Sequence, residues 1–317
     1  MTFFSARLAP ERGRGRRAEG SAGEGASDIP PTPLPNPLPA SRGEGVRLAI
    51  VTVLFAACCA HAQPTVRPYP APAADALIAA LAAQQAAVRG MNARVRATSW
   101  LGGERVRATV NMLVERDGRL RFEAEVSLQG TVAILAVDDG RFALFDAHKN
   151  EFERGPACPA NVASLVRIPL APAEVAAVLL GDARPPAPID STSPATATVG
   201  WDARRGADVL AVPAREGGTL QFLFHGDGAA RTLIAVDRVG ANGAPLWRTA
   251  YEDHETAGGA RVPGVIRFAE QNGSFDDGVE IKFKERTLNA APAAGAFTLA
   301  PPAGATVVDV GCGAPPQ

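Results

Sequence analysis

The stretch Gly103–Asp146, GERVRATVNMLVERDGRLRFEAEVSLQGTVAILAVDDGRFALFD, decides the fold because apolar and polar residues alternate along it. Alternation with a period of two is typical of a strand that buries one face. The pairs Asp117-Gly118, Gln129-Gly130 and Asp139-Gly140 interrupt it, and such pairs favour tight hairpin turns. Residues 93–146 are therefore predicted to form a five-stranded antiparallel meander.

One long helical pattern precedes the meander and covers Ala73 to Arg89. Pro72 stands before it and Gly90 follows it, and both residue types are typical of those helix-end positions. Two shorter helices are predicted downstream, at residues 162–166 and 172–180, the second opened by a proline and stopped by a glycine. The helical content is therefore small and flanks the strands.

Strand patterns resume after a Pro-rich loop at residues 184–194. The expected strands cover residues 196–202, 209–213, 219–224, 233–239, 246–255, 261–268 and 279–288. A sheet of this size with one apolar face must curl or close. The predicted fold class is α+β, mainly β: a curved antiparallel sheet of about 11–12 strands with helices covering its concave face.

Export is indicated by the stretch VRLAIVTVLFAACCAHAQ, which begins at Val46. It combines a positive flank, an apolar run shorter than the roughly 20 residues that span a bilayer, and small residues up to Ala62. We predict a signal peptide at residues 46–62 and a protein exported to the periplasm or outer membrane of a Gram-negative-type bacterium. Residues 1–45 form either a disordered upstream extension or the product of a start codon placed too early.

The remaining chain divides into three predicted parts. Residues 63–72 contain three prolines and no apolar pattern, and are expected to be a linker. Residues 73–311 are expected to form a single domain, and residues 312–317 a tail.

The four cysteines permit two interpretations. Cleavage after Ala62 would leave Cys158 and Cys312, and two cysteines in an exported protein favour a disulfide between them. Alternatively, the sequence FAAC ending at Cys58 resembles a lipobox, in which Cys58 would be acylated and would tether the chain to a membrane. Both interpretations remain open at this point.

Charge and motif content argue against several classes of function. The formal net charge is −1 and the charges are evenly spread, so no basic footprint for nucleic acid is present. No Cys or His pair has the spacing of a zinc site, and neither a metal nor another cofactor is expected. None of His148, His225 and His254 accompanies a nucleophile motif such as G-x-S-x-G, so we expect no enzyme activity.

The order of these segments resembles the LolA/LolB-like superfamily of periplasmic lipoprotein carriers and outer-membrane lipoprotein receptors. The resemblance covers residues 73–310 and rests on the N-terminal helix, the successive hairpins and the stretch NVASLVRIPLAPAEVAAVLLG at residues 161–181. The closing stretch FTLAPPAGATVVDV is similar to the final segment of the family at Phe297, Leu299, Pro302, Gly304 and Val307.

The resemblance implies an unclosed β-barrel capped by helices, with an apolar cavity for acyl chains of a lipoprotein or phospholipid. It also implies a monomer that meets the envelope membrane or an envelope protein. LolB-type members carry a leucine in the turn after the third strand, which corresponds to Leu128 here. The candidate residues of the cavity wall or mouth are Trp100, Leu101, Phe122, Leu128, Ile134 and Phe142.

Two functions follow as hypotheses. The first is a lipid- or lipoprotein-binding and transfer protein that performs no covalent chemistry. The alternative is a membrane-anchored structural or interaction lipoprotein, held through Cys58, that uses the curved sheet as a docking module for an envelope partner.

Overall fold

The computed structural model describes residues 65–101, 104–126, 129–183, 197–214, 216–270, 275 and 278–313. The predicted upstream segment 1–45, the signal peptide 46–62 and Cys58 within it lie outside the described residues, as does most of the tail. The linker is described from residue 65 onward.

The first part of the sheet is an antiparallel meander. Its strands are β1 (Gly90–Leu101), β2 (Glu104–Glu115), β3 (Leu120–Val126), β4 (Gly130–Asp138), β5 (Arg141–Asp146) and β6 (Glu151–Pro156). Residues that pair directly share a face, and Met112 opposite Phe122 and Phe122 opposite Leu135 place three large apolar side chains in one row. The predicted five-stranded meander is confirmed, and β6 extends it by one strand.

Three helices occur among the described residues: α1 (Ala74–Ala87), α2 (Pro159–Val166) and α3 (Pro172–Leu179). Both α2 and α3 begin with proline, whose missing N–H costs nothing at that position. The Glu174 carboxylate accepts the backbone N–H of Ala171 at 3.1 Å and closes the first turn of α3. The sequence-based helix predictions are confirmed, although α2 begins three residues before the predicted short turn.

The second part of the chain returns to strands. They are β7 (Thr198–Asp202), β8 (Ala207–Pro213), β9 (Thr219–His225), β10 (Thr232–Val239), β11 (Pro245–Glu252), β12 (Glu255–Ala257), β13 (Ala260–Val262), β14 (Val265–Glu270), β15 (Val279–Leu288) and β16 (Thr306–Asp309). Strands β12 and β13 form a separate hairpin. All the others join the sheet of the first part.

The main sheet has fourteen strands in the order β16-β6-β5-β4-β3-β2-β1-β15-β14-β11-β10-β9-β8-β7. Strand β15 pairs with β1, so the two parts of the chain form one continuous sheet. Strands β16 and β7 each have a single neighbour, and the sheet is therefore not closed. The predicted mainly-β, unclosed curved sheet is confirmed, with two more strands in it than the upper sequence-based count because β6 and β16 carry no clean alternation. Strand β16 departs from the predicted antiparallel arrangement, because it pairs with β6 in parallel.

The two cysteines expected to survive signal cleavage are joined in the structure. Cys158 and Cys312 form a disulfide with their Cα atoms 6.0 Å apart. Cys158 immediately precedes α2, and Cys312 follows β16. The disulfide therefore fixes the C-terminal edge strand to the start of α2.

The segment predicted as a linker makes specific contacts at the other edge of the sheet. The Thr65 N–H donates to the Ala203 carbonyl at 2.8 Å, and the Trp201 indole N–H donates back to the Thr65 carbonyl at 2.6 Å. The Arg67 Nε lies 2.9 Å from a carboxylate oxygen of fully buried Asp208. Residues 65–69 thus bind the end of the β7–β8 hairpin.

Candidate ligand cavity

A row of small side chains creates space on the concave face of the sheet. Ala97 of β1 pairs directly with Ala108 of β2, and on the other side with Ile281 of β15. In the neighbouring row of inward-facing residues, Val110 of β2 pairs with Ala124 of β3. Because alanine fills little of the space above a pleated sheet, the layer above these strands is incompletely packed.

The end of α2 lies above this space. Leu165, Val166 and Arg167 face the cavity and are only half-buried, in contrast to Val162 one turn earlier, which is fully buried. The cavity volume is about 60 Å³. Its lining consists of Val95, Ala97, Thr98, Ser99, Val106, Ala108, Val110, Met112, Phe122, Ala124, Leu165, Val166, Arg167, Val279 and Ile281.

The lining is apolar apart from three residues. Thr98 and Ser99 near the end of β1 are polar, with the Thr98 side chain turned to the outer face by its pairing with Arg107, and Arg167 is the single charged residue among the described lining residues. Such a surface has few groups that could orient a polar molecule, and it suits a hydrocarbon chain.

Arg167 is positioned by the backbone at the end of α2. It adopts a left-handed conformation with φ 61°, and its N–H donates to the Ala163 carbonyl at 3.1 Å, which ends the helix. Burial lowers the pKa of its guanidinium, and the nearby Glu270 carboxylate raises it in part. Burial raises the pKa of the Glu270 carboxyl, and the positive charge of Arg167 offsets part of that rise. Glu270 still reaches solvent at the end of β14.

The six residues expected from the sequence lie in different places. Phe122 lines the cavity. Phe142 is buried on the same face but is not among the described residues that line the cavity. Ile134 pairs with Glu123 and with Phe145, on the opposite, outer face of the sheet.

Trp100 also lies away from the cavity. It pairs with Arg105, whose guanidinium carbon is 5.4 Å from the indole ring centroid. Its neighbours in the strand ladder, Ser99 and Val106, line the cavity, so alternation turns Trp100 to the outer face. Leu101 ends β1, but its side chain is outside what the structure describes, and Leu128 lies outside the described residues altogether.

The sequence analysis did not assign several cavity residues. The alternation in β2 could have identified Ala108, Val110 and Met112, because these residues occupy the apolar positions of that strand. Arg167 gave no such signal, because a charged residue at a helix end is ordinarily solvent-exposed. Its place on the cavity depends on how α2 packs on the sheet.

The described part of the chain contains neither a candidate metal site nor a candidate membrane-spanning helix. No group of three or more His, Cys, Asp or Glu side chains is placed to hold a metal ion there. None of the described helices combines the length and the apolar character that crossing a bilayer requires.

Neither a protein-family model nor a curated protein matches this sequence. Similar solved structures include a DUF1329 family protein from Desulfovibrio piger, 9% identical with a TM-score of 0.48, where the match covers 71% of this chain and 97% of that one. A putative outer membrane lipoprotein-sorting protein domain from Vibrio parahaemolyticus is 10% identical with a TM-score of 0.46, with coverage of 71% and 97%. A LolA superfamily protein from Nitrosomonas europaea is 10% identical with a TM-score of 0.43, with coverage of 70% and 97%.

Proposed function

We propose that this protein is a periplasmic lipid- or lipoprotein-binding protein that holds an acyl chain in the cavity and performs no covalent chemistry. The observation that carries the proposal is the apolar cavity between the small side chains of β1 and β2 and the end of α2. The signal peptide predicted at residues 46–62 supports the location.

Apolar contact alone supplies enough free energy for reversible binding. Each buried methylene contributes about 0.8 kcal/mol, so a chain of about sixteen carbons gains on the order of 10 kcal/mol before ordering costs. Those costs bring the net affinity into the range of a carrier that must also release its ligand.

The cavity must widen to take such a chain. A volume of about 60 Å³ holds only a few water-sized groups. Leu165 and Val166 in this wall are half-buried and lie where α2 ends, so they can shift without disturbing a continuous helix. We therefore expect the end of α2 to move outward when a ligand enters.

Filling the cavity with a larger side chain from β2 tests the proposal. Ala108 faces the cavity, and its sequence neighbour Thr109 faces the outer side of the same strand. In Ala108→Trp the indole should fill the space and weaken binding of a fluorescent acyl probe at least about tenfold. Thr109→Trp is the matched control and should leave the affinity within about twofold.

Equal affinities of the two variants would contradict the proposal. Native mass spectrometry of the protein purified from its own envelope supplies an independent readout. A phospholipid or acylated peptide that leaves on denaturation supports the carrier. A covalent diacylglyceryl group on Cys58 together with an empty cavity would favour the anchored docking module instead.

A further inference from the structure

Arg167 differs from Arg286 and Arg238, two other arginines near the concave face, because it lines the cavity. Arg286 stacks on Phe283, and one of its guanidinium nitrogens lies 2.8 Å from a carboxylate oxygen of Glu255. Arg238 is buried and donates to the backbone carbonyl of Gly217 at 2.7 Å. Arg167 is the charged side chain that the described structure places on the cavity wall.

The position of Arg167 suits contact with the polar end of a bound amphiphile. Arg167 ends the helix next to Leu165 and Val166, and because it is half-buried, its long side chain lines the cavity and also reaches solvent. A hydrocarbon chain in the cavity would therefore place its headgroup where the guanidinium lies.

The proposed function leaves the headgroup chemistry of the ligand open, and the following inference rests on that function. We propose that Arg167 selects anionic amphiphiles by binding their carboxylate or phosphate group at the mouth of the cavity while the chain lies among the apolar residues. A guanidinium presents parallel N–H donors that match the two oxygens of either anion.

Glu270 opposes the anion in this arrangement. Its carboxylate interacts electrostatically with Arg167, and burial raises its pKa, so the surroundings already disfavour its charge. The negative charge of Glu270 near this guanidinium repels an incoming anion. Removal of that carboxylate should therefore strengthen binding of anionic ligands and leave neutral ligands unaffected.

The test compares three ligands with the same twelve-carbon chain: dodecanoate, dodecyl phosphate and dodecanol. Affinities are measured by displacement of a neutral fluorescent acyl probe from the full-length exported protein. We expect both anions to bind at least about tenfold more tightly than the alcohol, as charge-assisted hydrogen bonds require. Tighter binding of dodecanoate would identify the ligand class as fatty acids, and tighter binding of dodecyl phosphate would identify it as phospholipid-type phosphates.

The variants separate recognition from folding. Arg167→Gln should weaken both anions about tenfold and change dodecanol less than about twofold, whereas Arg167→Lys should recover part of the loss. Arg107→Gln removes an equal charge from an exposed site on the outer face of β2 and should change nothing. Glu270→Gln should tighten both anions.

The outcomes distinguish this inference from the function on which it rests. If none of the three ligands displaces the probe, the acyl cavity itself is wrong. If all three bind equally well, or if Arg167→Gln weakens all three alike, the cavity stands and the anion selectivity of Arg167 is overturned.

Discussion

Side chains from both halves of the sheet lie on the same concave face, but they fill the space above it to different extents. A single row of directly paired residues crosses the sheet through both halves. It runs Phe222, Val236, Thr249, Phe268, Val279, Ser99, Val106. From the β9 end as far as Phe268 the side chains of this row are fully buried, whereas Ser99 and Val106 at the other end line the cavity.

We call β7–β11 with β14 the filled half, and β1–β3 with β15 the open half. In the filled half, Phe222, Phe268 and Tyr251 are almost completely buried, and the Trp247 and Phe268 rings lie 6.0 Å apart. In the open half, Ala97 and Ala108 occupy the equivalent inward positions. With the same backbone pattern in both halves, side-chain size therefore decides whether the concave face holds a filled core or a cavity.

The two edges of the sheet are also secured in different ways. Beyond the open half, the edge strand β16 is held by the disulfide and by an exposed ion pair between Arg154 and Asp309 at 2.7 Å. At the filled half, residues 65–69 hold β7 and β8 through the ion pair of Arg67 with buried Asp208. The disulfide at the β16 edge acts mainly by lowering the conformational entropy of the unfolded chain. The ion pair at the β7–β8 edge acts through attraction between two charges in the folded state.

The largest effect is expected from removing the disulfide. Cys158 and Cys312 are 154 residues apart in sequence, and in the chain-entropy model so long a loop contributes up to about 5 kcal/mol. The double variant Cys158→Ser/Cys312→Ser should lower the free energy of unfolding by a few kcal/mol, measured by urea denaturation. Hydrogen exchange should accelerate most in β16 and α2, and equal acceleration in β9 and β10 would contradict the proposed difference between the edges.

Truncating a phenylalanine in each half tests the comparison directly. Phe222→Ala removes a fully enclosed ring and should cost about 4 kcal/mol of unfolding free energy. Phe122→Ala removes a ring that borders the cavity and lacks partner atoms on that side, so it should cost only about 2 kcal/mol. Chemical denaturation measures both, and equal costs would show that the open half is packed as well as the filled half.

A smaller effect is expected at the edge of the filled half. Arg67→Met leaves the buried Asp208 carboxylate without its cation and should cost about 3 kcal/mol. Adding Asp208→Asn to that variant should recover most of the loss, because the buried charge is then gone. The matched variant Arg154→Met at the other edge breaks an exposed pair and should leave the thermal midpoint unchanged.

The smallest effect is expected from enlarging an alanine. The change in unfolding free energy should have opposite signs in the two halves of this comparison, one site at the cavity and one in the packed core. Ala108→Leu fills part of the cavity and should raise the unfolding free energy by about 1 kcal/mol. Ala176→Leu in α3 adds the same atoms where no space exists and should lower it by about 2 kcal/mol. Destabilisation by both variants would mean that the open half has no room for an added side chain.

The strands of the first meander were predictable because their alternation is strong and their turns contain Asp-Gly or Gln-Gly pairs. The inward position of Phe122, which lines the cavity, was predictable for the same reason, since β3 alternates cleanly. Ile134 belongs to the uninterrupted apolar run VAILAV, in which alternation cannot distinguish the inner face from the outer one. Its position on the outer face follows from its pairing with Glu123.

Trp100 illustrates a second limit of reasoning from sequence. Its strand places polar Ser99 toward the cavity and aromatic Trp100 toward Arg105, which reverses the usual relation between polarity and burial. Hydrophobicity alone therefore predicts the wrong neighbours for both residues. The register of β1 against β2 resolves them.

Periodicity, turn residues and spacing act over short distances along the chain, and they were enough to predict most of the strands, the helices and the two cysteines available for pairing. Which strands adjoin depends on long-range packing, since β1 and β15 are far apart in sequence, and so does the place where the concave face is left unfilled. The same holds for Arg167, whose place on the cavity wall depends on the packing of α2 across strands that the local sequence does not specify.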